Sequence, residues 1–385
     1  MNFTENLHEN EGVQMQTRSA RKRQPSAGKM FIKVIAALLL LLTVIGSGYA
    51  GAVFIKTQET LARTQINIPG SKVSSKYDDV PSESFLILGT DETKASKDRH
   101  EPARSDVMIV GVLNKKTEQL VLTSIPRDSL VNIDYSKYDV PYGKTGVEQD
   151  KITHAHYFGS MDKSSSYNGI KLARETTENL LGIEINHVVK VNFQGFVQLI
   201  DALDGVDIDV RYAFKEQDSA RKAGTITVPK GMQHLSGEQA LAYVRNRHDD
   251  PLGDIGRGQK QMQVIQAVAK EAASFRSLGA YRDILDAVGD NVETNLGPND
   301  YLRLADFTTA LRNTTEYQLA GEGYIGISGK WEYHLDPNQL DRVKANLAKA
   351  MQGQEVSLMK EETGTPGATD PTTTDDSTTV EQPVQ

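Results

Sequence analysis

The sequence predicts a layered α/β domain, with helices on both faces of a sheet, preceded by one transmembrane helix. Three observations carry this prediction. Short β-rich runs alternate with segments of helical periodicity, two of the runs are apolar throughout as buried central strands are, and a long uncharged stretch lies near the N-terminus. The length of 385 residues leaves room for one large domain with appendages.

The uncharged stretch is residues 34–55, which hold a run of five leucines. As a helix it would be roughly 33 Å long, enough to cross a hydrocarbon core of about 30 Å. A cleaved signal peptide is the main alternative, because Ala50, Gly51 and Ala52 have the form of a cleavage site. The preceding segment is long, however, and the apolar run is longer than a signal peptide has. We therefore expect an uncleaved anchor.

Basic residues indicate the orientation of this anchor. Residues 1–33 contain six basic residues, Lys and Arg taken together, and only three Glu. This excess of basic residues before the span predicts a cytoplasmic N-terminus and an extracellular domain. We expect a single-pass protein of the cell membrane, with a linker at 56–80, a folded domain at 81–355 and a disordered tail rich in Thr, Pro and Asp at 356–385. The absence of cysteine suits export where no disulfides form, as on a Gram-positive surface.

Composition excludes several classes of function. The formal net charge of −8 argues against nucleic acid as a partner. The lack of cysteine excludes thiol catalysis and Cys-ligated zinc. The sequence also contains no phosphate-binding P-loop, no nucleophile elbow and no zinc-protease motif.

The elements of the domain follow from local patterns. The β-rich runs predict strands, and the apolar repeats predict helices, one of which ends at Gly182 and another of which begins with a capping box at Ser236. The predicted strands are 84–89, 107–113, 119–124, 187–191 and 206–210, and the predicted helices are 170–181, 193–203, 236–244, 259–275 and 336–350.

The segment from Arg245 to Gln261 is the most informative in the chain. It holds three arginines, Arg245, Arg247 and Arg257, in a loop with Gly and Pro that runs into a helical pattern. Guanidinium groups match phosphate oxygens, and a helix N-terminus favours an anion. The segment therefore predicts a polyanion site, with a salt-bridged surface loop capped by Asp254 as the structural alternative.

Further charged residues stand at predicted strand ends, where α/β sheets place their ligands. Asp91 follows the first strand, Arg104 and Asp106 precede the second, and Arg127 follows the third. Two carboxylates at neighbouring strand ends can share Mg²⁺ with substrate phosphates. A turn or cap aspartate is the alternative for each.

These motifs together resemble the LytR–CpsA–Psr family of bacterial cell-envelope proteins. The resemblance rests on F-L-I-L-G-T-D, R-S-D-V-M-I-V, S-I-P-R-D-S, K-I-T-H-A-H-Y-F-G and R-N-R…D-I-G-R…Q, in that order over residues 81–270. It implies an αβα sandwich with a central mixed sheet, in a membrane-anchored phosphotransferase. Such an enzyme moves an anionic glycopolymer, wall teichoic acid or capsular polysaccharide, from a polyprenyl pyrophosphate to the muramic acid 6-hydroxyl of peptidoglycan.

The resemblance also implies roles for the charged residues. Asp91 and Asp106 would hold Mg²⁺, while Arg127, Asp254 and Arg257 would serve catalysis. The pyrophosphate would be bound by Arg104, Arg127, Arg245, Arg247, Arg257 and Gln261. Independently, charge that builds on phosphoryl oxygens during transfer is stabilised by arginines and Mg²⁺.

The sequence departs from the family pattern at three positions, Thr153, Lys260 and Met262, where the family often has Asn, Arg and Gln. His154 and His156 have a spacing that would suit a metal on a strand, but without a third ligand we interpret them as ordinary packing or surface residues.

Two alternatives stay open. A regulator that attenuates transcription fits poorly, because the short cytoplasmic segment has no helix-turn-helix pattern. Binding of polyprenyl phosphate alone, or hydrolysis of the pyrophosphate, uses the same arginines. No general base is identified, and Asp106 and Asp254 are candidates by elimination.

Overall fold

The computed structural model describes residues 59–60, 63–68, 80–93, 96–97, 99, 101–218, 226–246, 249–274, 289, 291–296, 300, 308–326 and 329–357. The predicted span at 34–55, the segment 1–33 and the tail beyond residue 357 lie outside these residues, as does Arg247. Within the described helices, none is both long and apolar enough to cross a membrane.

The described chain forms fourteen strands and six α-helices. The strands are β1 Ser82–Thr90, β2 Ser105–Asn114, β3 Gln119–Ser124, β4 Leu130–Asp134, β5 Val147–Lys151, β6 His187–Asn192, β7 Val206–Val210, β8 Phe214–Glu216, β9 Ile226–Val228, β10 Gly231–Leu235, β11 Val292–Thr294, β12 Thr314–Gln318, β13 Gly321–Ile325 and β14 Trp331–Leu335. The helices are α1 Thr153–Gly159, α2 Asn168–Leu181, α3 Phe193–Ala202, α4 Gly237–Arg245, α5 Gly253–Ser274 and α6 Pro337–Met351.

A mixed sheet of six strands, in the order β11-β6-β1-β2-β3-β12, forms the centre of the domain. Strand β2 pairs antiparallel with β1 and with β3, while β1 pairs parallel with β6 and β3 pairs parallel with β12. The two apolar runs of the sequence are thus the two central strands, as predicted. Strands β4 and β5, β7 and β10, β8 and β9, and β13 and β14 form four antiparallel pairs outside this sheet.

Helices cover both faces of the sheet, which confirms the predicted layers. Because side chains alternate along a strand, Leu86 and Leu88 face one side, where they pack with residues of α1, α2 and α6. On the other side, Ile109 and Leu122 pack against Met262 of α5. A further core lies between α3, α4, α5 and the pair β7–β10.

Most helix ends lie where capping residues and glycines in the sequence predicted them. Gly182 has a left-handed backbone with φ of 70° and ends α2. Ser236 and Gln239 form the predicted capping box of α4. Asp336 caps α6 by accepting hydrogen bonds from the backbone N–H groups of Asn338 and Gln339. Helix α5, however, begins at Gly253, six residues before the predicted start.

Candidate functional site

The charged strand ends meet at one edge of the central sheet. Strand β1 ends at Thr90, β2 begins at Ser105, and these two residues are partners in the antiparallel register. Strand β3, antiparallel to β2, ends at Ser124 on the same edge. Asp91 and Arg127, which follow β1 and β3, and Asp106, at the start of β2, therefore lie at the same edge of the sheet, as the sequence predicted.

Asp91 is held by the backbone of the opposite strand end. Its Oδ1 accepts a hydrogen bond of 2.9 Å from the N–H of Arg104. Burial raises the pKa of Asp91, and the charge of Asp106 raises it further, while the bond from Arg104 acts in the opposite direction. Asp106 is thus close enough to disfavour the charged form of Asp91, and a cation would relieve this repulsion.

Arg127 lies between two carboxylates. Its Nη1 donates to Asp106 Oδ1 at 2.6 Å, and its Nε lies 3.5 Å from Asp128 Oδ2. Lys151 contacts the other oxygen of Asp128 at 2.8 Å. These contacts orient the Arg127 fork, whose side chain stays 27% exposed and therefore open to a ligand.

Arg257 reaches the same group of charges. Burial opposes ionisation of Asp128, but the hydrogen bond from Lys151 and the charges of Arg127, Lys151 and Arg257 outweigh it and hold the pKa of Asp128 below its usual range. Asp128 and Lys151 lie inside sequence motifs that carried the resemblance, yet they received no role there. Their contact lies at the end of the β4–β5 pair, where Leu130 is opposite Lys151, and neither of these strands was predicted from the sequence.

The first turns of α5 are tightly packed around Arg257. Arg257 is 8% and Gln261 is 7% exposed, and they lie one turn apart on the helix, as predicted. A side chain at Gly256 would collide with Asp250, and one at Gly258 would collide with Gln318 at the end of β12. The two glycines that flank Arg257 thus let this helix approach its neighbours closely.

The remaining predicted arginines lie around this edge. The guanidinium of Arg104 lies over the ring of Tyr157 at 4.9 Å, and that of Arg245 lies over the ring of Phe193 at 5.7 Å. Among the described residues, no hydrogen bond joins Arg245 to the strand-end carboxylates. Arg247 and the side chain of Asp254 lie outside the described part, so their roles stay predictions.

The departures from the family pattern have structural roles. Lys260 donates to the carbonyl of Asn246 at 2.9 Å and pairs with Asp250 at 3.1 Å, so it holds the loop between α4 and α5. Met262 is buried between α5 and the sheet, where an apolar side chain fits. Thr153 is buried at the start of α1.

The two histidines lie on a helix, α1, and not on a strand. His154 pairs with Asp150 at 2.6 Å, whereas His156 is buried and bonds through Nδ1 to the carbonyl of Ala103 at 2.8 Å. They are structural residues, as we interpreted them. Within the ranges that the structure describes, no group of three or more His, Asp or Glu is arranged to hold a metal.

Comparison with known proteins identifies the family. The model of a family described as LytR_cpsA_psr matches residues 49–349. Bacillus subtilis TagT, a polyisoprenyl-teichoic acid–peptidoglycan teichoic acid transferase, is 33% identical over 340 residues, which cover 86% of this chain and 98% of TagT.

Solved structures show the same fold. The Streptococcus agalactiae protein gbs0355 matches with a TM-score of 0.62 and 29% identity, covering 75% of this chain and 94% of that one. A structure of TagT bound to LIIa-WTA matches with a TM-score of 0.56 and 30% identity, covering 74% of this chain and 99% of that one.

Proposed function

The chain belongs to the LytR–CpsA–Psr family, and on this premise we propose that it transfers an anionic glycopolymer from a polyisoprenyl pyrophosphate carrier to peptidoglycan. The observation that carries the proposal is the convergence of Arg127 and Arg257 beside the paired carboxylates of Asp91 and Asp106. The named activity of TagT supports it, since that protein shares most of its length with this chain.

The transfer requires one bond to form and one to break at phosphorus. An acceptor hydroxyl oxygen attacks the phosphorus that bears the polymer, the bond to the carrier phosphate breaks, and polyisoprenyl phosphate leaves. Negative charge grows on the oxygens around that phosphorus, and Arg127 and Arg257 stabilise it with oriented donors. Asp128 and Lys151 keep Arg127 in place, so they are positioning residues.

Other predicted residues complete the proposed site. Arg104, Arg245, Arg247 and Gln261 would bind the outer oxygens of the pyrophosphate, and Asp254 would orient the arginines or accept the proton of the acceptor. The single span at 34–55 would place the domain outside the cell membrane, close to the isoprenoid carrier.

We also propose that Asp91 and Asp106 hold Mg²⁺. Their oxygen donors suit this ion, which typically binds one or two carboxylates plus substrate phosphates. The raised pKa of Asp91 reflects burial and the nearby Asp106, and a divalent cation would offset both costs. When bound, Mg²⁺ would neutralise charge on the transferring phosphoryl group.

Transfer can be tested with the full chain, a carrier-linked glycopolymer and a peptidoglycan oligomer, with products weighed by mass spectrometry. We expect a covalent conjugate and free polyisoprenyl phosphate in equal amounts. Asp91→Ala and Asp106→Ala should each lower the rate by at least about a thousandfold, the scale of removing a metal ligand, and abolish its dependence on Mg²⁺.

Asp207→Asn is the matched control, because its side chain is 70% exposed on β7. Full transfer by the double Ala variant in chelator would contradict the metal assignment. Release of carrier phosphate without any conjugate would contradict transfer and identify a pyrophosphatase.

A further inference from the structure

Two aromatic side chains, Tyr157 and Phe193, lie under arginines at the edge of the sheet that carries the candidate site. The guanidinium of Arg104 lies over the ring of Tyr157, 4.9 Å from its centre, and that of Arg245 lies over the ring of Phe193, at 5.7 Å. Both distances are within the range of about 6 Å over which a ring face attracts a cation. We call Tyr157 and Phe193 the platform residues.

The strand ends place both platform residues at this edge. Phe193 directly follows β6, and β6 ends beside the last residue of β1 in their parallel register. Tyr157 lies on α1, whose first residue, Thr153, donates its N–H to the carbonyl of Arg127 at 3.1 Å. The platform residues therefore lie on two helices that begin beside the ends of β1 and β3.

The core holds both rings in place. Tyr157 packs against the core that includes residues of α1 and α2, and its ring meets the ring of Phe158 edge-on, with centroids 5.3 Å apart. Phe193 packs against the core between α3, α4 and β7. It is also the first residue of α3, which Asn192 caps by accepting a hydrogen bond of 2.7 Å from the N–H of Gly195. Both platform residues are only partly buried, so each ring is fixed by the core and still offers area to an arginine.

The platform residues orient arginines without neutralising them. Arg127 contacts the carboxylates of Asp106 and Asp128, which offset part of its positive charge. A ring face attracts a guanidinium and requires no anion, so Arg104 and Arg245 keep their charge and their N–H donors for a ligand. Among the described residues, no salt bridge holds either of these two guanidinium groups.

The backbone of Arg104 is fixed to the candidate site as well. Its N–H donates to Asp91 Oδ1 at 2.9 Å, and its carbonyl accepts a hydrogen bond from the N–H of Asp91 at 3.3 Å. The preceding carbonyl, of Ala103, bonds to Nδ1 of His156 on α1 at 2.8 Å. Because its backbone and its guanidinium are both held, Arg104 has few side-chain conformations to lose when it binds a ligand.

We propose that Tyr157 and Phe193 are positioning residues, which hold Arg104 and Arg245 in the orientation that binds the pyrophosphate of the carrier. This inference rests on the proposed function, because it concerns the first substrate of that reaction. A long side chain that is ordered before binding loses less conformational entropy when it binds, so each ring tightens the binding of the pyrophosphate.

Calorimetric titration of the full chain with farnesyl pyrophosphate, in neutral detergent micelles with Mg²⁺, measures this contribution. Tyr157→Leu and Phe193→Leu should each raise the dissociation constant by about fivefold, the scale of ordering one long side chain on binding. Tyr157→Phe keeps the ring and should bind as tightly as the wild type. Tyr324→Leu, on β13 and 48% exposed, is the matched control and should leave the dissociation constant unchanged.

A double-mutant cycle separates positioning from packing. In a chain that carries Arg104→Ala, Tyr157→Leu should cause no further loss of affinity, because the side chain that the ring supports is gone. The same holds for Phe193→Leu in a chain that carries Arg245→Ala. An equal fivefold loss with and without the arginine would overturn the proposal, since the ring would then act through the fold. Thermal melting verifies that every variant is folded at the temperature of the titration.

The two proposals fail in different ways. Wild-type affinity in both Leu variants, with transfer intact, would overturn the positioning role and leave the proposed function standing. Weaker binding in the Leu variants of a chain that forms no conjugate would support the positioning role and overturn the transferase.

Discussion

The two ends of the central sheet carry similar charged groups that differ in exposure. We call the partly exposed end the open end and the buried end the closed end. The open end holds Asp91, Asp106 and Arg127, of which the last two side chains are 24% and 27% exposed. The closed end holds Glu83 and His187, each 3% exposed at the side chain, and Lys115 at 10%. Glu83 contacts His187 at 3.1 Å and Lys115 at 3.4 Å.

This difference distinguishes charged residues that stabilise the fold from charged residues that are available to bind a ligand. A buried charge is tolerated only when it is paired, and at the closed end Glu83 has partners on both neighbouring strands. At the open end, burial and the charge of Asp106 raise the pKa of Asp91 although Asp106 contacts Arg127, so Asp91 keeps an unfavourable interaction that a cation would relieve. Residue type alone does not distinguish the two ends; burial does.

After the losses expected for the two carboxylates, the largest effect should follow removal of the Arg127 guanidinium at the open end. Arg127→Ala should lower the transfer rate by about 10²–10³-fold, as loss of one oriented donor to a developing oxyanion does. Arg127→Lys keeps the charge but loses the bidentate geometry, so its transfer rate should lie between those of the wild type and Arg127→Ala. Arg312→Ala, exposed and outside the site, is the control. Unchanged rates with a lower melting temperature would assign Arg127 to stability alone.

The closed end should show the reverse behaviour. Glu83→Ala removes the carboxylate that Lys115 and His187 contact. Breaking a buried ion pair typically lowers the free energy of unfolding by about 3–5 kcal/mol. Urea unfolding measures this loss. The transfer rate per folded molecule should stay unchanged, and a lower rate in the folded fraction would show that the two ends are coupled.

A smaller effect concerns His156, which bonds α1 to the segment just before β2, at the open end. Burial and then the charge of Lys190 lower the pKa of His156 to about 4. In the unfolded chain this histidine has an ordinary pKa near 6.5, so between pH 6.5 and pH 4 the unfolded state binds more protons than the folded state. The free energy of unfolding is therefore highest above pH 6.5 and decreases as the pH falls towards 4. Between pH 7 and pH 5 the loss should be about 2 kcal/mol.

His156→Asn keeps a donor for Ala103 and removes the titration, so its unfolding free energy should change less between pH 7 and pH 5 than that of the wild type. His234→Asn gives a control of opposite sign. The hydrogen bond that His234 donates to Asp207 raises the pKa of this exposed histidine, so it stabilises slightly at low pH. An identical slope in wild type and His156→Asn would contradict the buried neutral form.

The sequence predicted the sheet because its central strands bury both faces and are therefore apolar runs, as 107–112 shows. It did not predict β13–β14, where glycines, glutamates and exposed aromatics give no apolar face to detect. Helix α1 was also missed, since a seven-residue helix has too little periodicity.

The strand-end part of the site was predictable because neighbouring strands share an edge, so Asp91, Asp106 and Arg127 had to meet. The support of Arg127 by Asp128 and Lys151 was not, because it depends on the β4–β5 pair, and neither of these strands was predicted. The packing of Gln318 on Gly258 likewise depends on β12, which has no clear signal in the sequence.

The short segment before the domain has a consequence for self-association. The N–H of Ile66 donates to the carbonyl of Thr294 at 2.7 Å, and Gln65 forms a bridge to the same residue. Ile66 and Ile68 are buried against the domain. These residues cover the outer side of β11, an edge that would otherwise present free backbone groups to another chain. A truncated chain that starts after Ile68 would lose this cover and gain a site for strand-to-strand aggregation.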